Sequence, residues 1–270
     1  MASPSITSIT QTSFTSATTA HNVVMPAVVA AGDLLIAIFI YSSELFTITT
    51  PTGWTEIWPE ESDGAEATLA GFAKDADGTE DGANVDHVTS GSCGGLAFVL
   101  RVLAAEWEGT LAGGLFDAAI VEASTASPNP PSLNPGLGSK DFRFVAIEAC
   151  YFDRVVTAYP TSYADNQLSV NGGVATNLVH MGLASRALTA ASDDPGTFTT
   201  DSLELSFAQT LAIAPAAAAG GGTVRLAGGS LAGGALAGGK LAYFRNLSPY
   251  VKRPGLWLPS YHSKKVLSVA

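Results

Sequence analysis

Serine and threonine alternate with apolar side chains through residues 6–24, a period of two that predicts one or two strands ending before Pro26. Gly32-Asp33 then turns the chain into an unbroken apolar run, Leu34 to Tyr41, rich in β-branched and aromatic residues. Eight residues is a strand's length, so the run predicts a strand buried on both faces. Alternation resumes at Phe46-Thr47-Ile48-Thr49-Thr50, and Pro51-Thr52-Gly53-Trp54 turns it into Thr55-Glu56-Ile57-Trp58. Thr68 to Lys74 and Leu96 to Leu103 predict two more strands, with an acidic, glycine-punctuated loop from Asp75 onward between them.

Residues 127–138 hold four prolines, which fix φ and remove backbone donors, so this stretch predicts a linker or an extended cover. The chain on its C-terminal side resembles the chain on its N-terminal side. Asp141 feeds an apolar run as Asp33 does, Pro160-Thr161 comes after it as Pro51-Thr52 comes after the first, His180 to Ala184 matches Leu69 to Ala73, and Leu205 to Ile213 matches Leu96 to Leu103. Two similar four-stranded halves predict one all-β sandwich of jelly-roll or Greek-key type, with the strands of the halves interleaved in two packed sheets.

Beyond this predicted body of residues 1–215 the pattern changes. Residues 216–270 carry a five-residue repeat, Leu-Ala-Gly-Gly-X, that begins at Leu226, Leu231 and Leu236 and starts again at Leu241. Five matches neither the helical nor the strand period, and each glycine disfavours a helix by roughly 1 kcal/mol, so the arm is expected to gain order only against protein surface. Leucines at this spacing suit repeated apolar pockets. The aromatic and basic residues Tyr243, Phe244, Arg245, Tyr250, Lys252, Arg253, Trp257 and Tyr261 suit an extended clamp on a partner.

Charge sharpens this division. Of 13 basic residues seven lie beyond Glu204, the last of 24 acids, so residues 1–204 carry 6 − 24 = −18 and the remainder +7. Opposite charges within one chain point to self-assembly, with the arm on a neighbour or on its own body. Nucleic acid ranks below protein as the arm's target, because the body repels DNA and the cations are spread from Arg225 to Lys265. No apolar run approaches the roughly 20 residues of a membrane helix, and the N-terminus lacks the pattern of a secretory signal.

Candidate chemistry is sparse. His21, His87, His180 and His262 are far apart in sequence, no hydrolase, zinc or phosphate-loop motif occurs, and Gly91-Ser92-Cys93-Gly94-Gly95 reads as a turn or bulge. Asp75-x-Asp77-Gly78 is a poor calcium loop, lacking a ligand before the glycine and a glutamate at the twelfth position. Cys93 and Cys150 read as reduced core residues, with a disulfide left open. The expectation is therefore no catalytic residues, no metal and no cofactor. Trp58, before Pro59, is the expected exposed ring, and with the acidic loop at 75–86 it is a candidate glycan-stacking site.

The segments Ala30 to Leu35, Thr50 to Thr55 and Leu211 to Ala216 resemble a family of uncharacterised tailed-phage and prophage virion proteins. That resemblance covers about the first 215 residues and implies a β-sandwich displayed on a particle, without catalytic residues. The expected protein is a virion component assembled in the host cytoplasm, whose partners are copies of itself and other virion proteins. The alternative is a carbohydrate-binding receptor module of a tail fibre.

Overall fold

The computed structural model describes residues 2–64, 66–118 and 121–217, with side chains omitted for 121–123. The candidate arm residues, from Leu226 to Tyr261, lie outside the described residues.

The first half contains β1 (Ile6–Val24), β2 (Leu34–Tyr41), β3 (Ile48–Thr49), β4 (Thr55–Ser62), β5 (Thr68–Asp75) and β6 (Asn84–Val102). A single helical turn, α1 (Leu111–Gly114), leads into β7 (Leu115–Asp117) and β8 (Val121–Thr125). The second half continues with β9 (Lys140–Tyr151), β10 (Val156–Ala158), β11 (Asp165–Val174), β12 (Asn177–Ala190), β13 (Thr199–Thr200) and β14 (Glu204–Ile213).

Two large antiparallel sheets form, and β10 pairs with β13 in a small third one. The first has the order β1-β6-β2-β5-β4, with β3 also on β6, and the second β11-β12-β9-β14-β7, with β8 also on β14. The all-β sandwich matches the expectation, and so does the duplication: β6-β2-β5-β4 in one sheet has the same order as β14-β9-β12-β11 in the other. The interleaving expected of a jelly roll does not occur. Each half closes its own sheet, because β2 finds both neighbours, β5 and β6, within its own half.

The face-to-face core draws Ile36, Ile38, Phe98 and Leu100 from the first sheet and Val145, Ile147, Met181 and Leu211 from the second. Each outer face is covered too. Phe39, Tyr41, Phe72 and Trp54 form a second core outside the first sheet, and Phe142, Phe144, Tyr163 and Phe198 form a third outside the second sheet. Every residue of β2 is buried, as its unbroken apolar run predicts for a strand packed on both sides. The proline stretch is a cover: Phe198 N–H donates to Pro128 O, and Leu133 pairs with Asp193.

Faces correct the residue-by-residue match of the halves. Aligning Asp33 with Asp141 would set Leu34 opposite Phe142, yet Leu34 faces the other sheet and Phe142 faces outward. A slip of one residue reverses every side chain, so the correspondence holds for strands and fails for that register. The turns mark the true repeat. Trp54 N–H donates to Pro51 O at 3.0 Å and Tyr163 N–H to Pro160 O at 3.1 Å, and both aromatics then plug an outer core.

Candidate functional site

The polar residues the sequence offered for chemistry are mostly inside. His21 and His87 sit opposite each other on β1 and β6, both fully buried among the rings of Phe14, Phe39, Phe72 and Trp54. Burial lowers each imidazole from 6.5 to about 4, leaving both neutral at pH 7. Cys93 Sγ lies 3.7 Å from His21 Nε2, but burial raises the thiol, the opposite of an activated nucleophile.

A second cluster lies on the outward face of the second sheet. Glu148 Oε1 lies 2.8 Å from His180 Nε2, His180 Nδ1 is 2.8 Å from Asn171 Oδ1, and Cys150 is paired across the ladder with His180. An acid, an imidazole, an amide and a thiol together invite a catalytic reading, but Glu148 and His180 have no exposed surface and burial holds the Cys150 thiol far above its ordinary range. No substrate atom can reach them as packed. Both cysteines are free thiols.

Trp58 departs from its expected exposure. It is only 3 % exposed and lies in the inter-sheet core, so it offers no face to a sugar. Its ring lies over Gly71, where an added Cβ would come within 2.3 Å of the indole, and that bare glycine is what lets an indole on an edge strand fold inward. Trp107, also buried, donates from Nε1 to Gly32 O. The acidic loop binds the protein itself: Lys74 pairs with Asp77 and Glu80, and Asp81 accepts from Val29 N–H. Among the described residues no group of three or more His, Cys, Asp or Glu side chains could hold a metal ion. Nor is any helix among them long and apolar enough to cross a membrane.

Accessible features lie at the edges. A shallow groove of about 410 Å³ opens between β4, α1 and β7, floored by Ile57, Leu111 and Leu115 with Glu56 and Asp117 on its lining. At one end of the second sheet, the loops that leave β9 and enter β14 form a corner where Phe152, Val155 and Leu203 are 42, 50 and 59 % exposed. The two loops are tied: Val155 N–H donates to Asp201 Oδ1 at 3.2 Å, Asp201 N–H returns to Val155 O at 3.1 Å, and Arg154 pairs with Glu204. Phe152 has φ +79°, a left-handed backbone that aromatic residues rarely adopt. Its ring meets Tyr151 edge-on, and the Arg154 guanidinium lies 5.4 Å from its centroid. Sequence reasoning misses this corner, because Phe152-Asp153-Arg154-Val155 reads as the end of an apolar strand and only the backbone shows the ring turned out.

No family model, curated protein or solved structure matches this chain.

Proposed function

We propose that this chain is a non-enzymatic structural component of a tailed-phage virion, either a capsid decoration or a tail-associated protein, that assembles through its C-terminal arm. The observation that carries assembly through the arm is the fate of the body's cations. Five of the six, Lys74, Arg101, Arg143, Arg154 and Arg186, close ion pairs with carboxylates of the body. The surplus of acids in residues 1–204 is therefore left without cations of its own, and the seven in the arm are its natural complement. A sandwich covered on both outer faces, with its histidines and thiols sealed, suits a building block better than a catalyst. The short segments Ala30 to Leu35, Thr50 to Thr55 and Leu211 to Ala216, read as resembling phage virion proteins, are what name the particle in this proposal.

The test keeps the whole chain. Replacing Arg245, Lys252 and Arg253 by glutamate should leave the circular dichroism spectrum unchanged and abolish self-association in sedimentation velocity. Association at wild-type strength in the triple variant would refute assembly through the arm.

A further inference from the structure

The corner formed by Phe152, Val155 and Leu203 lies at the start of β14, and the body's last described residues, 214–217, extend from that strand's other end. Ten strand residues span roughly 33 Å, so the corner and the root of the arm sit at opposite ends of the second sheet. Two carboxylates, Asp153 and Asp201, are exposed beside the three apolar side chains, while the neighbouring Arg154 is occupied by Glu204. The surface is thus apolar at its centre and acidic around it. Residues 243–261 of the arm have the complementary chemistry, with aromatics interleaved with Arg245, Lys252 and Arg253.

We infer that this corner is the docking site for residues 243–261 of a second copy of the chain. The inference rests on assembly through the arm and adds where the arm lands. The strained backbone is the second observation. A glycine would meet the φ of Phe152 without cost, whereas a phenylalanine there holds a large ring toward solvent against its own preference. Such strain is retained where the side chain does something outside the fold. An arm lent to a neighbour joins copies reciprocally into a closed pair or successively into a ring or filament, and each of these repeats one contact throughout an assembly.

The test is the full-length Phe152→Gly variant, with Leu203→Ser as its companion. Phe152→Gly relieves the backbone, so it should unfold within a few degrees of the parent, yet its self-association in sedimentation velocity should weaken at least tenfold. A mixture of isotopically heavy and light chains, coupled with a carbodiimide, should give inter-copy links from Lys252 to Asp153 or Asp201. Links only within one chain, or to other carboxylates, would overturn the site. If charge reversal in the arm abolishes association while Phe152→Gly and Leu203→Ser leave it intact, arm-driven assembly stands and this landing site falls. A parent chain that remains monomeric at high concentration overturns both.

Discussion

At the scale of single residues, the body holds its polar groups by two different means. Burial opposes ionisation of Asp33, but the amides of Ala30 and Ala104 and the Arg101 guanidinium outweigh it and keep the carboxyl below its usual range. For His21 and His87 the compensation is too weak to offset burial. Burial dominates both, and although the Asp86 carboxylate favours the charged form of each, the two imidazoles repel when charged. Thr89 and Cys93 face His21, and the Val85 carbonyl faces His87. A histidine near 6.5 when unfolded and about 4 when folded takes up its proton on unfolding throughout that interval. Its contribution is complete above pH 6.5 and is lost as pH falls toward 4, at up to roughly 1.4 kcal/mol per pH unit. Each histidine therefore carries about 3 kcal/mol at most, and Asp33 adds its own loss only at more acid pH. Urea unfolding should show stability falling steadily from pH 7 to pH 4.5, and His87→Phe should flatten the fall. A profile as steep in that variant as in the parent would remove His87 from the account.

At the scale of elements, the two halves use one turn twice with different residues in its strained position. Gly53 has φ +81° and Ser162 has φ +71° in turns closed by the same hydrogen bond. Glycine meets that angle freely and serine does not, so Ser162→Gly should be neutral or raise the melting temperature. Gly53→Ala should lower stability by about 1 kcal/mol. Calorimetry of the two variants decides it, and a clear loss in Ser162→Gly would mean the serine is held by something other than the turn.

This pair also shows what is legible in the sequence. The proline spacing and apolar runs reveal the duplicated strands, because a strand buried on both sides must be continuously apolar and a turn must break it. Register is not legible, since an unbroken run such as Leu34 to Tyr41 has no polar residue to say which side faces which sheet. Trp58 defeats sequence reading for a related reason. Its place on an edge strand beside Pro59 suggests exposure, but the space that receives it is created by Gly71 on the neighbouring strand. The short strands β10 and β13 leave no signal in the pattern because they gain their order by lying over the outer core of the second sheet.

At the scale of the whole molecule, the proposed assembly raises the question of which force would hold one copy to the next. Two forces are available from the same arm: attraction between its seven cations and the acidic body, and burial of its aromatics and leucines. They respond oppositely to salt. The screening length falls from about 8 Å at 0.15 M to about 3 Å at 1 M, which weakens exposed charge pairs, whereas apolar burial is not weakened by added salt. The groups around the corner, Asp153 and Asp201, are exposed, so their attraction should be screened nearly in full, while Phe152, Val155 and Leu203 should keep their share. Self-association of the parent chain should therefore weaken progressively from 50 mM to 1 M sodium chloride without vanishing. The Phe152→Gly variant, left chiefly with charge, should lose its remaining association within that range. Sedimentation velocity across the series reads both curves. Parallel curves would mean that the ring and the charges do not act at one contact, and association strengthened by salt in the parent would assign the joint to apolar burial alone.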